Sequence, residues 1–185
     1  VLYGGVISSV GAGPQRARTD IYKWTGMDYV PVETVYDESD LLYFKVLDAN
    51  MALMAGDYSQ ALALYQEVLV SSSLRVWKGV QERDDLGAFS RFRLVLTYVL
   101  VHDESRAQAI LEEMQSTQPE HIYNQLAQVF WDYYTKQGGV TAACQAVAEF
   151  AQEHLQAVEI LNGYGYANPT FTASDICPIG MGTVG

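Results

Sequence analysis

The spacing of apolar residues changes once along the chain, close to Ser39. Before that point, residues 21–24 and 29–35 are two β-prone runs around a glycine-containing turn, and this pattern predicts a β-hairpin. One further short strand is expected in the glycine-rich stretch 3–14. After Ser39 the apolar residues recur at every third or fourth position, which indicates amphipathic helices packed side by side.

The helical part of the chain reads as three pairs of runs, each pair joined by a short polar or glycine-containing break. The runs are 41–54 and 58–70, 86–101 and 105–116, and 120–136 and 140–161. Short breaks favour antiparallel pairs, and the acidic and hydroxyl side chains of residues 37–40 are expected to cap the first helix. The predicted fold is therefore mainly α, with three helical hairpins.

The same pattern divides the chain into a β-hairpin segment (1–37), a helical domain (38–162) and an extended C-terminal tail (163–185). Two strands without a second layer are marginal in water, so the hairpin is expected to pack on the helices. Four of its side chains should form the buried face: Tyr22, Trp24, Val30 and Val32. In the tail, Pro169 excludes a continuing helix, and Phe171 and Ile176 are expected to hold the segment against the rest of the protein.

Residues 56–65, Gly-Asp-Tyr-Ser-Gln-Ala-Leu-Ala-Leu-Tyr, carry a family likeness. They resemble the middle of a tetratricopeptide repeat, whose helices meet at a Gly-x-Tyr-x-x-Ala turn followed by an aromatic residue. Taking Ala61, Ala107 and Ala143 as equivalent gives intervals of 46 and 36 residues, whereas the family interval is about 34. The likeness covers about residues 41–155 and implies a TPR-like right-handed superhelix; another antiparallel helical array is the alternative.

A tetratricopeptide-like stack implies a concave groove, and such grooves usually hold a peptide or another protein. The expected function is a non-enzymatic interaction module with a protein or peptide partner. The residues predicted to face this partner are Asn50, Phe89, Phe92, Arg93, Gln128 and Asp132.

A second surface could carry recognition instead of the groove. Residues 75–93 hold five of the eleven basic residues, interleaved with aromatic ones, and an acidic partner could bind there. The alternative is that Arg91 and Arg93 pair with the carboxylates at 82, 84 and 85 on a solvated helix face.

A second function class is a small-ligand- or carbohydrate-binding, enzyme-associated domain that uses a tyrosine-rich face. The tyrosines that would form it are Tyr123, Tyr133, Tyr134, Tyr164 and Tyr166. Tyrosines at helix–helix contacts are usually core residues, and solvent exposure of these rings would separate the two hypotheses.

No catalytic, cofactor or metal motif is apparent, so no enzyme activity is predicted. His102, His121 and His154 stand apart from one another, and no spaced Cys/His set or Gly-rich phosphate loop accompanies them. The formal net charge of -11 argues against nucleic acid or an anionic membrane as the main partner. No apolar run is long enough to insert into a membrane.

The two cysteines bear on the compartment. Cys144 lies in a helix-like run and Cys177 in the tail, where they are either two unrelated thiols or one disulfide. A bridge over such a loop is worth about 3–4 kcal/mol in the chain-entropy model. The Trp24-x-Gly-x-x-Tyr29 hairpin is similar to hairpins of secreted bacterial propeller-type repeats, without their calcium-binding loop. Together these features predict an extracytoplasmic or secreted protein.

Overall fold

The computed structural model describes residues 9–137 and 139–178. These residues form two compact units: 9–39 with 164–170, and 40–163 with 171–178. Of the stretch 3–14 in which a further strand was expected, residues 3–8 lie outside the described residues and residues 9–14 are not in a strand. The described residues of the predicted tail are divided between the two units.

The larger unit is mainly helical, as the apolar spacing predicted. Its helices are α1 (Leu42–Met54), α2 (Tyr58–Val70), α3 (Val80–Leu100), α4 (Glu104–Thr117), α5 (Ile122–Gln137), α6 (Val140–Glu153) and α7 (Gln156–Asn162). α1 packs on α2, α3 on α4 and α5 on α6, while α3 also contacts α2 and α5. Short connections join the members of each pair, so the three predicted helical hairpins are present and follow one another as in a repeat.

The first two helical hairpins use the same chemistry to start their second helix. The carboxylate of Asp57 accepts a hydrogen bond from the Gln60 backbone N–H over 3.0 Å, and Asp103 accepts one from Arg106 over 3.2 Å. Each therefore satisfies a backbone donor that the helix end leaves open. The alanines aligned in the sequence are all fully buried: Ala61, Ala107 and Ala143.

The start of α1 differs from the expectation. Its N-cap residue is Leu41, which follows residues 37–40 and offers no side-chain capping hydrogen bond. Instead, the Leu42 backbone N–H donates to the carbonyl oxygen of Arg75 over 2.8 Å. The Arg75 guanidinium in turn holds both carboxylate oxygens of Asp40 at 2.5 and 2.8 Å. Arg75, which is distant in sequence, thus satisfies a backbone donor at the start of α1.

Helix α3 begins at Val80, earlier than the predicted start at Leu86. The six added helical residues, 80–85, account for about half of those that lengthen the interval between the first two hairpins. Glu82, which is buried, stabilises this start by accepting hydrogen bonds from the backbone N–H groups of Trp77 and Lys78. The predicted run 140–161 is also divided, because the backbone leaves the helical region at His154 between α6 and α7.

The β-hairpin of the smaller unit pairs β1 (Arg18–Trp24) with β2 (Tyr29–Tyr36), close to the predicted runs. A bulge at Val32 shifts the register, so Ile21 pairs with Glu33 and Tyr22 with Pro31. The expected buried face is absent. Tyr22, Trp24, Val30 and Val32 are 44%, 52%, 39% and 54% exposed, and every residue of β2 is exposed.

Burial in the smaller unit centres instead on the loop before β1. Ala12 is almost fully buried, and the backbone N–H groups of Tyr166 and Ala167 donate to the carbonyl oxygens of Gly11 and Ala12. The Asn168 Nδ2 also donates to the carbonyl oxygens of Ala12 and Pro14 in this loop, and to that of Tyr164. Gly13 has φ +80°, and a Cβ there would collide with the backbone of residue 164, so this contact requires glycine.

The end of the described chain folds onto the helical unit. The Asn162 side chain donates through Nδ2 to the Phe171 carbonyl oxygen and accepts through Oδ1 from the Phe171 backbone N–H. A capping box at Thr172 and Asp175 then starts a 3-10 turn over Ala173–Ile176. Ile176 is fully buried, as expected, although this part of the tail is not extended. Cys144 and Cys177 form a disulfide, which joins the tail to α6.

Candidate functional site

The predicted groove residues on α3 lie in the core. Phe89, Phe92 and Arg93 are at most 1% exposed. The Phe89 ring packs edge-on against Tyr123 at 5.2 Å, and Phe92 packs edge-on against Phe130 at 6.2 Å. α5 covers Phe89 and Phe92, and none of the three side chains is accessible at the surface. They hold consecutive helical hairpins together instead.

Arg93 is a buried cation that the C-terminal tail partly satisfies. Its Nη2 donates to the carbonyl oxygen of Asp175 over 2.6 Å, and its guanidinium carbon lies 4.9 Å from the Phe89 ring centre. Burial lowers the pKa of Arg93, and the nearby Tyr65 and Tyr123 act in the opposite direction. Its Nε and Nη1 have no hydrogen-bond partner among the described residues.

The remaining groove residues do not share a surface with these three. Asn50 is buried between α1 and α2, where its Oδ1 accepts a hydrogen bond from the Tyr65 hydroxyl over 2.6 Å. Burial raises the pKa of that hydroxyl to about 12. Gln128 is half-buried, and Asp132 is exposed and pairs with Lys136 one turn away at 2.8 Å. Of the six residues predicted to face a partner, only Gln128 and Asp132 have side chains that are not buried.

The tyrosine-rich face is also interrupted. Tyr123 and Tyr164 are buried, whereas Tyr133 and Tyr166 are exposed. Tyr134 is half-buried and donates its hydroxyl to Glu104 over 2.8 Å. Tyr164 and Tyr166 belong to the smaller unit and the other three to the larger one.

Most cations of the stretch 75–93 serve the fold. Arg83 donates to the carbonyl oxygens of Ser71 and Leu74, and Lys78 donates to that of Ile160. Arg91 pairs with Glu113 of α4 at 2.9 Å, not with the carboxylates at 82, 84 and 85 as expected. Through these contacts, α3 and the residues just before it are held to α4, to α7 and to the end of α2 and the loop after it.

The most exposed apolar surface lies on the β-hairpin, which is called here the hairpin ribbon (residues 18–36). Paired residues of the two strands share a face, so Trp24 lies beside Tyr29, and Tyr22 lies on the same side. The Trp24 and Tyr29 ring centres are 5.0 Å apart. Tyr36 completes this face, with the Arg16 guanidinium 4.5 Å from its ring centre.

No constellation suited to metal binding appears within residues 9–137 and 139–178, where no three His, Cys, Asp or Glu side chains are grouped for it. His121 lies 3.3 Å from the Asp85 carboxylate, and His154 stacks on Phe150 at 3.9 Å. Both contacts are consistent with structural roles. No described helix has the length and apolar character needed to span a membrane.

No protein-family model, curated protein or solved structure matches this chain. The likeness to tetratricopeptide repeats rests on residues 56–65 and on the succession of helical hairpins.

Proposed function

We propose that this chain is a non-enzymatic protein-binding module of an exported protein and that the hairpin ribbon is its binding surface. The observation that carries this proposal is a concentration of exposed large apolar side chains on one short segment. They are Tyr22, Trp24, Met27, Tyr29, Val30, Val32, Val35 and Tyr36. Exposed apolar surface of this kind marks interaction sites, and a two-stranded ribbon is marginally stable until something covers it.

The two edges of the ribbon are unequal, and the difference favours one type of partner. β2 carries Pro31, which lacks a backbone N–H, and the bulge at Val32 distorts its ladder. β1 runs from Arg18 to Trp24 without either interruption. A partner that adds an extended strand with apolar side chains to β1 would satisfy its backbone and cover the aromatic face.

The helical unit is the scaffold in this proposal. Its consecutive hairpins and the buried alanines at equivalent positions support a TPR-like right-handed superhelix. The disulfide supports an oxidising, extracytoplasmic location. The partner is a protein, and the proposal includes neither nucleic acid nor a cofactor.

A photo-crosslinking amino acid at position 24 tests the proposal in the native host. Position 77 is the matched control, because Trp77 is exposed to a similar extent on the helical unit, at 55% against 52%. We expect a discrete protein adduct from position 24 that is absent from position 77. In the purified complex, amide hydrogen exchange should slow over residues 18–24. Adducts from both positions, or slowing confined to the helices, would contradict the proposal.

A carbohydrate ligand on the same aromatic face is the second candidate. The observation that favours it is the placement of Asp20 and Thr34 beside the rings, where the Thr34 hydroxyl donates to Asp20 over 2.8 Å. Rings flanked by polar groups can stack on a sugar and bond its hydroxyls. Calorimetry with cello-, chito- and malto-oligosaccharides should then show saturable binding that Trp24→Ala abolishes and Trp77→Ala retains.

A further inference from the structure

A cavity of about 260 Å³ opens on the helical unit between α2, α3 and the C-terminal end of α4. Val68 and Leu69 form the apolar part of its lining, and α3 contributes Arg83, Asp84, Gly87 and Arg91. The Arg83 guanidinium is already held by the backbone carbonyl oxygens of Ser71 and Leu74. Gln118 lines it from the end of α4. The cavity is separate from the hairpin ribbon and does not depend on the function proposed above.

Three of the four residues from α3 lie along one stripe of that helix. Asp84, Gly87 and Arg91 are at positions i, i+3 and i+7, which share a face. Helical side chains lean towards the N-terminus, and the Arg91 Nη1 accordingly lies 3.5 Å from where a Cβ of Gly87 would be. The guanidinium thus lies over the glycine, about one turn from the Asp84 position.

Packing does not demand a glycine at position 87. The residue is buried in the middle of α3, and an added Cβ would make ordinary contacts, 3.5 Å to Arg91 Nη1 and 3.8 Å to Leu69 Cδ2. Glycine makes a helix less stable than alanine does, so Gly87 lowers the stability of α3. Packing does not explain why glycine occupies this position. Its effect is to leave space between an acidic and a basic side chain.

The polar groups of the cavity are incompletely satisfied. Arg91 donates through Nε to Glu113, whereas neither Nη bonds another described residue. Asp84 is exposed and makes no ion pair within the described chain. The Oε1 of Gln118 is buried and has no partner among the described residues. Unpaired donors and acceptors therefore line the same cavity.

We propose that this cavity binds a small zwitterion of the α-amino-acid type with an apolar side chain. The ligand carboxylate accepts from the Arg91 Nη groups, its ammonium donates to Asp84 and Gln118 Oε1, and its side chain lies against Val68 and Leu69. A simple anion would meet the Asp84 carboxylate, and a simple cation would meet the Arg91 guanidinium. A ligand that carries both charges satisfies both sets of groups.

Calorimetry with L-leucine tests the proposal, with isoamylamine and 4-methylpentanoate as analogues that each lack one charge. We expect saturable binding of leucine and at least about tenfold weaker binding of each analogue, since either one leaves a charged group unpaired. Arg91→Gln and Asp84→Asn should each weaken leucine binding by a similar factor. Arg106→Gln, an exposed change on α4, is the matched control and should bind as the parent does.

Gly87→Ala separates binding from stability. It should weaken leucine binding while the melting temperature of the ligand-free protein stays the same or rises. Absence of saturable leucine binding would overturn the proposal. It would also be overturned if 4-methylpentanoate bound as well as leucine, or if the Arg91 and Asp84 variants bound as the parent does.

Discussion

The Nη2 of Arg93, in the middle of α3, donates a hydrogen bond to the backbone carbonyl oxygen of Asp175 over 2.6 Å. A few residues further on, the Cys144–Cys177 disulfide joins the same tail to α6. The tail is therefore held to two helices, by a charged donor in the core and by a covalent bond. This relationship explains why Ile176, between the two attachments, is fully buried.

Truncation of Arg93 should lower the free energy of unfolding mainly because it removes buried side-chain volume. Arg93→Ala is expected to lower the free energy of unfolding by about 3 kcal/mol, since it empties a fully buried site. Arg93→Met refills most of that volume and removes a desolvated charge, so its loss should be much smaller. Urea denaturation of the two variants measures the difference. Equal losses would show that the hydrogen bond to Asp175, not the volume, carries the stabilisation.

The disulfide should contribute substantially to stability. Replacing Cys144 and Cys177 by alanine is expected to lower the free energy of unfolding by about 3–4 kcal/mol, the chain-entropy value for a loop of this length. Mass spectrometry after alkylation should find both thiols protected until the protein is reduced. Two freely alkylated thiols in unreduced protein would contradict the bridge.

The helix caps predict how stability depends on pH. The Gln60 backbone N–H lowers the pKa of Asp57, and the Ser105 hydroxyl, followed by the Arg106 N–H, lowers that of Asp103. A lowered folded-state pKa stabilises the protein above the unfolded value, and this stabilisation is lost as the pH falls through the folded-state value. The melting temperature should therefore drop below about pH 4.

Matched variants assign that drop to the caps. Asparagine keeps the capping oxygen and removes the titration, so Asp57→Asn with Asp103→Asn should show a shallower fall in melting temperature under acid. Alanine at both positions should destabilise the protein at neutral pH as well. An unchanged acid profile in the asparagine variant would exclude the two carboxylates as the source.

The exposed ribbon predicts tolerance to substitution. Because the Trp24 ring is 52% exposed, Trp24→Ser should change the free energy of unfolding by no more than about 0.5 kcal/mol. Chemical denaturation monitored by far-ultraviolet circular dichroism measures this directly. A loss of about 2 kcal/mol or more would indicate that the ring is buried in solution.

The helical pairs could be predicted because their signals are local. Apolar spacing and the turn at Gly56-Asp57 identified α1 and α2 to within a residue, and the same spacing placed α4 and α5. The β-prone runs around a glycine-containing turn placed the two β-strands. Ala61, Ala107 and Ala143 are buried as their alignment indicated. These features depend on neighbours three or four positions away, which a sequence shows directly.

Tertiary contacts decided which polar and aromatic side chains became accessible. Phe89, Phe92 and Arg93 carry no local sign that α5 covers them, and the inward face of α3 became core instead of groove. Arg75 satisfies the start of α1 from a position far along the chain. Burial and long-range hydrogen bonds depend on how whole helices pack. Helical periodicity shows that one face of a helix is buried, but it does not show which element covers that face.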